Sequence, residues 1–457
     1  MPLRRTPLLA AIALALAFCP AGSLLAAGAA RPFRFITRSG DMLMEGNREF
    51  RFASFDVPDL AITEDPSWHR ISAWEQEDAI RSVAQMGGRV IRIYTLSIAG
   101  GRRNARGPSH VIAPGEYDET LMRDYDRMIA LCGKYRIRLI IPFIDQWHWW
   151  GGIDEFSRFR GKTAKDFYSD PRVQADFRAL VKTLVTRVNT ITGVPYNDDP
   201  TIMAWESGNE LRDDPAAWTC SLAAYVKRLA PHQLFADGHN GPRPRTLDDP
   251  NVDLLTAHFY GTGNYAAMER SDRERTRGKK PFYVGEFDPR HAGTLIDEVV
   301  ANGTAGILAW SLRGHSSEGG FFCHGDPLYY HWPYSPITRR MRRAAFEIRG
   351  LAEPSVGIPQ APELLPIRSP SQISWRGSTG ADAYTLERAL SPRGPWIVVA
   401  TDLSDDRCRG PLFVDREAPK TVVLYYRLKA SNASGDSRYS SVVACVRTRT
   451  PLLSGPE

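Results

Sequence analysis

Cysteine is scarce in this chain: six in 457 residues, none of them in a C-x-x-C arrangement. That removes the usual zinc-ribbon and dithiol-redox readings, and no metal or cofactor is expected. After Leu8–Phe18 (LLAAIALALAF) no apolar run approaches the length that spans a bilayer, so no membrane partner is expected. Lys and Arg occur singly or in short pairs such as Arg339-Arg340. The net charge of +6 therefore describes a mixed solvated surface, not a nucleic-acid footprint. No Gly-rich phosphate loop follows any candidate strand, which weighs against a doubly wound nucleotide fold. Ordinary proportions remain, with hydrophobic residues at 43% and charged residues at 24%. These exclude a disordered, collagenous or coiled-coil chain.

What is present begins with a targeting pattern. Arg4-Arg5 precede the short apolar run, and small residues follow through Ala30. This is the layout of a secretory signal peptide over residues 1–29, with Ala27-Gly28-Ala29 as an A-x-A site. Phe18 is too bulky before Cys19 for a lipoprotein site. The protein is expected to be exported, either secreted or periplasmic, and to act as a monomer. The five cysteines beyond Cys19 are an odd number, so at least one thiol stays unpaired; whether Cys408 and Cys445 pair is open.

Residues 31–350 alternate apolar β-branched runs with helical patterns. Eight strands are expected, at 50–55, 89–96, 138–144, 201–206, 233–237, 252–259, 282–286 and 306–311. Near-continuous apolar strands separated by helices indicate a parallel sheet covered on both faces. Eight such units in about 320 residues fit a (β/α)8 TIM barrel. Residues 351–366 carry Pro354, Pro359, Pro362 and Pro366 and read as a stiff linker. Residues 367–450 switch to short strands and turns, the pattern of a small all-β sandwich. Residues from about Glu353 onward are expected to be dispensable for chemistry, because no strand-end site residue lies there.

In such a barrel the reactive side chains sit at the C-terminal strand ends, where the βα loops form a cup. Strand four runs out through Trp205-Glu206-Ser207-Gly208-Asn209-Glu210, and strand seven ends Gly285-Glu286-Phe287. Two facing carboxylates about 5 Å apart are what retaining glycoside hydrolysis requires: one attacks the anomeric carbon while the other protonates the leaving oxygen. Arg92 is a charge inside the apolar strand Val90–Tyr94. It demands a compensating carboxylate, for which Glu206, two inward positions below Glu210, is the candidate. His258 and Tyr260 share one face of strand six, and Trp310 on strand eight could floor a sugar subsite. Trp147, His148, Trp149 and Trp150 follow strand three, where loop packing and sugar stacking are both open.

These residues resemble glycoside hydrolase family 5 of clan A at Arg92, Asn209-Glu210, His258, Tyr260, Glu286 and Trp310. The stretches Leu139–Gly152 (LIIPFIDQWHWWGG), Leu184–Tyr196 (LVTRVNTITGVPY) and Asn197–Glu210 (NDDPTIMAWESGNE) are similar to the endo-β-1,4-mannanases of that family. The resemblance implies Glu286 as nucleophile and Glu210 as acid/base. It further implies that Asn209 bonds the sugar 2-OH, that Tyr260 orients Glu286, and that Arg92, Trp147, His258 and Trp310 serve substrate binding. The implied partner is a β-linked polysaccharide or oligosaccharide. Two departures stand out: Leu211 follows Asn-Glu where the family commonly has proline, and 260–280 is a short, charged loop where the mannanases carry a longer aromatic one. In the tail, Trp375, Ala383-Tyr384, Asp415, Tyr426-Arg427-Leu428, Ala430-Ser431-Asn432, Gly435 and Ser437 resemble the fibronectin type III pattern. The alternatives are an exo-β-mannosidase, another family 5 β-glycanase such as an endoglucanase, or a carbohydrate-binding protein that kept only the cleft.

Overall fold

The structure, a computed structural model, describes residues 33–65, 67–322, 324, 336–408 and 410–445. The expected signal peptide, Cys323 and the last five residues of the expected β domain lie outside them. Eight parallel strands close into one barrel: β1 (Phe52–Asp56), β2 (Val90–Arg92), β3 (Arg138–Pro142), β4 (Ile202–Glu206), β5 (Leu234–Asp237), β6 (Leu254–Phe259), β7 (Phe282–Phe287) and β8 (Gly306–Ala309). All eight fall within or next to the expected runs. Every residue in them is buried, because helices cover the outside while Phe52, Ile140, Met203 and Tyr283 fill the interior.

The covering helices start where capping chemistry starts them. For α1 (Ala73–Gln85), Ser72 and Glu75 form a reciprocal capping box. Asp118 caps Glu119–Tyr135, and Asp170 caps Pro171–Val185 with proline in its first turn. The expected loop at 260–280 is instead a crossover helix, Tyr265–Thr276, capped by Asn264. Its sparse apolar residues hid it. Buried polar pairings stand in for an apolar stripe: Glu269 accepts from Asn302, and Arg273 donates to Asp41 at 2.7 Å.

Beyond the helix Pro336–Glu347 the chain runs extended, but the linker is shorter than expected. Glu363–Leu364 already pairs with Trp375–Arg376, since Leu364 is apolar and buries itself in the β-domain core. In that domain β9 (Ala383–Ala389) is flanked by β10 (Ile397–Leu403) and β11 (Leu424–Asn432). Trp375, Tyr384, Leu386, Tyr426 and Leu428 form its core. Cys408 is disulfide-bonded, and Cys445 is not its partner.

The β domain is packed on the barrel, not tethered beside it. His315, in the loop after β8, is buried between Asp78 of α1 (2.7 Å) and Asp405 of the β domain (3.2 Å). Thr379 donates to Asp78, Arg376 to the Ser317 carbonyl, and the Phe321 amide to the Arg407 carbonyl.

Candidate active site

Strand register sets the site. Asp56 lies beside Arg92 across β1 and β2, Pro142 beside Glu206 across β3 and β4, and His258 beside Glu286 across β6 and β7. Above β4 the chain stays extended long enough for Asn209 to bridge to Asp145. It then turns sharply, with Glu210 at φ +51, a left-handed conformation that costs a non-glycine residue of order 1 kcal/mol. Gly285 has to be glycine: a Cβ there would lie 2.3 Å from Thr256 Oγ1 and 2.8 Å from His258 Nε2.

Arg92 is fully buried and donates to both oxygens of Glu206 (2.9 and 2.7 Å), to Glu286 Oε1 (2.7 Å) and to Asn209 Oδ1 (2.8 Å). Glu286 Oε2 accepts from the Tyr260 hydroxyl at 2.6 Å. Glu210 accepts from Trp147 Nε1 at 2.7 Å and pairs with His258 Nδ1 at 3.1 Å. Ligand-type atoms of Glu210, His258 and Glu286 all lie within 4.8 Å of one another. Because Arg92 fixes Asn209 Oδ1, the amide nitrogen faces the other way, donating to Asp145 at 2.9 Å with its second hydrogen left over.

An open cleft of about 510 Å³ lies over this cluster, lined in part by Tyr94, Trp147, Trp149, Asn209, Tyr260 and Trp310 with the two glutamates. Two of the expected substrate contacts are placed differently. Arg92 and His258 do not line the cleft; both are buried beneath it and act through the carboxylates, because a guanidinium or imidazolium at this depth is stable only when paired. The aromatic loop after β3 divides. Trp150 is loop core, edge-on to Tyr94 at 4.9 Å and donating to Glu64, while Trp147, His148 and Trp149 face the cleft. Asp56, Tyr94, Asp145 and Tyr283 were not singled out from the sequence. Tyr283 donates to Glu206 and Tyr94 to Asp145. An acid ending an apolar strand run, as in Phe52–Asp56, was the available signal.

Electrostatics divide the two glutamates. Burial pulls Glu210 upward, but the His258 hydrogen bond and charge, with the Trp147 indole, outweigh it and bring the carboxyl down to about 2. Burial raises Glu286 against the pull of His258 and Arg92. His258 is raised in spite of its burial, chiefly by Glu286 and Glu210. Burial lifts Asp145 to about 7. Two further clusters bring ligand-type atoms together, Glu64-Asp65-His324 and His148-Asp154-Glu155. Arginines already pair with each, Arg103 with Asp65 and Arg158 with Glu155, which leaves little call for a metal.

Fold and site together define a (β/α)8 barrel with a paired-glutamate cleft at the C-terminal strand ends. Residues 69–278 match the family model described as GH family 5 beta-mannosidase-like. The chain is 31% identical over 243 residues to mannan endo-1,4-beta-mannosidase 7 of Oryza sativa subsp. japonica, covering 49% of this chain and 60% of that protein. It is 35% identical over 177 residues to mannan endo-1,4-beta-mannosidase 8 of the same plant, covering 36% and 46%. The chain thus spans about half the length of the curated relatives it matches. Among solved structures it resembles the endo-beta-1,4-mannanase from Thermotoga petrophila, with a TM-score of 0.59 at 19% identity over 88% of this chain and 99% of that one. That likeness concerns the fold. Among the described residues no helix is long and apolar enough to cross a membrane.

Proposed function

We propose that this protein is a glycoside hydrolase, specifically an exported, retaining endo-β-1,4-mannanase. The observation that carries the reading is the pair Glu210 and Glu286, with carboxylate oxygens within 4.8 Å across an aromatic-walled cleft. So short a separation suits a covalent double displacement, not the wider pair that admits a nucleophilic water beside the sugar.

Glu286 attacks the anomeric carbon as the glycosidic C–O bond breaks, and Glu210 delivers a proton to the departing oxygen. A water deprotonated by Glu210 then attacks the glycosyl ester, returning Glu286 as a carboxylate and the sugar with its configuration retained. Arg92 and Tyr260 direct their hydrogens at Glu286, the arrangement that suits an anionic nucleophile. The spare Asn209 amide hydrogen serves the 2-OH, and Trp310 and Trp147 offer stacking faces. The His258 and Trp147 hydrogen bonds hold the Glu210 carboxyl low, and His258, 3.1 Å away, is the group placed to exchange a proton with it.

The test is reducing-sugar release from mannan, galactomannan, glucomannan and cellulose under one condition, with products from mannohexaose. The expected kcat/KM on mannan or glucomannan exceeds that on cellulose at least about tenfold, roughly 1.4 kcal/mol of transition-state binding. Equal cellulose cleavage sinks the mannan reading, and mannose as the sole early product sinks the endo reading. Glu210→Ala is expected to spare the first step on aryl mannosides with good leaving groups; an equal loss on these and on polymer reverses the two roles.

A further inference from the structure

Asp56 ends β1 beside Arg92 of β2. Its side chain is buried, and among the described residues neither carboxyl oxygen has a hydrogen-bond partner. Nη1 of Arg92 lies at ion-pair distance, 3.6 Å from Oδ1. That guanidinium is already committed to Glu206, Asn209 and Glu286. The backbone gives Asp56 no retreat, since its carbonyl accepts from the Leu312 amide and the next residue's amide donates to the Arg92 carbonyl. One fixed cation therefore faces three carboxyl groups, from β1, β4 and β7, and only two of them receive its hydrogens. A buried carboxylate with no donor is strongly unfavourable. A third negative charge here would also compete with Glu286 for Arg92.

We propose that Asp56 is a positioning residue that remains an uncharged carboxylic acid, and that its neutrality leaves the Nη1 hydrogen bond of Arg92 wholly to Glu286. The proposal rests on the reading of Glu286 as nucleophile. The charged and titratable groups facing Asp56 are Arg92 on β2, Glu206 on β4, Glu286 on β7 and Tyr260 just beyond β6. Burial raises the Asp56 carboxyl well above the usual range; Glu286 and Glu206 add to the rise and Arg92 opposes it. With Asp56 neutral, Arg92 holds Glu286 in line for attack, a contribution to the chemical step and not to binding.

The experiment has two arms on the full chain. Carboxyl-carbon NMR of protein labelled at aspartate Cγ, assigned by the signal lost in Asp56→Asn, reads the charge state without any need for turnover. The expected resonance stays in the protonated position at neutral pH, where exposed aspartates are ionised. In kinetics, Asp56→Asn, which mimics the neutral acid, is expected to keep kcat within about threefold, and Asp56→Ala to lower kcat about tenfold at unchanged KM. An ionised Asp56 at neutral pH, or a loss in Asp56→Asn equal to that in Asp56→Ala, overturns the proposal. A protonated Asp56 in a wild-type protein with no turnover on any mannan supports the charge state and overturns the function proposed above.

Discussion

Among the buried charged networks of this molecule, the one beneath the cleft and the one where the β domain meets the barrel are built on opposite plans. At the seam, among the described residues, the cations His315 and Arg81 face the carboxylates Asp78 and Asp405. Asp78 takes hydrogen bonds from Thr379 (2.9 Å) and Arg81 (2.8 Å), and Asp405 takes one from Tyr384 (2.6 Å). Beneath the cleft, Arg92 faces Glu206, Glu286 and Asp56, and the last receives no hydrogen bond. A network in which charges and donors match has one protonation state and holds its parts in one place. Where acids outnumber cations, at least one proton has to stay, and its position changes with what occupies the cleft. Burial alone does not separate the two kinds; the ratio of donors to carboxylates does.

The largest expected effect breaks the unbalanced network without touching the other. Glu286→Ala should lower turnover at least about 10³-fold, since the covalent step loses its attacking atom. A melting curve recorded beside the assay separates lost chemistry from lost fold, since Arg92 and Tyr260 each give up a partner in this variant. Formate or azide should restore some turnover and give product of inverted configuration, which polarimetry reads. Wild-type-like turnover in the variant would end the assignment of Glu286.

The next effect breaks the seam. The sequence pointed to a dispensable tail, and no cleft residue lies in it. Yet ending the chain at Leu351 strips Asp405 and Arg376 from the loop that follows Trp310, and Thr379 from Asp78 of α1. His315 then faces water on one side, and Asp78 loses a donor. Removing one side of a buried ion pair costs about 3–5 kcal/mol. The truncated chain is expected to melt well below the full chain and to lose activity on oligosaccharides in proportion to its unfolded fraction. Equal melting temperatures with full activity would return the tail to the status of an appendage.

What could be read from the sequence follows the same division. The strands were legible because a doubly covered parallel strand is a continuous apolar run, which few other environments produce. Glu210 and Glu286 were legible because they are carboxylates at strand ends, and Arg92 because it is a charge inside such a run. The helix Tyr265–Thr276 was not, since its buried face is made of Glu269 and Arg273, whose pairing with residues far along the chain leaves no period to see. His315 was passed over within a polar loop for the same reason: its partners, Asp78 and Asp405, are 237 and 90 positions away. Asp56 needed three-dimensional neighbours to become unusual, for an aspartate ending a strand is ordinary until Arg92 is seen to be fully engaged.

The smallest expected effect is the share of the pH dependence of stability that the seam contributes through His315. Burial alone would lower His315, but Asp78 and Asp405 outweigh it and carry the imidazole from 6.5 up to about 10. Below 6.5 both folded and unfolded chains hold that proton, and the seam contributes fully. Between 6.5 and about 10 the unfolded chain has released it while the folded chain has not, so stability is lost as pH rises through that window. Asp78 behaves oppositely: His315 and Arg81 overcome its burial and bring it from 3.8 down to about 2, so its share is present above 3.8 and fades as pH falls towards 2. The seam is therefore strongest between 3.8 and 6.5. Urea denaturation should show about 2–4 kcal/mol lost between pH 6.5 and 9 through this proton. His315→Gln should be less stable at pH 6 and lose less over that same interval than the wild type. The remaining loss comes from His324 and His258, whose imidazoles are also raised. A wild-type chain as stable at the alkaline end as at the acid end would mean that His315 is neutral, and that the seam, like the cleft, carries an unmatched carboxylate.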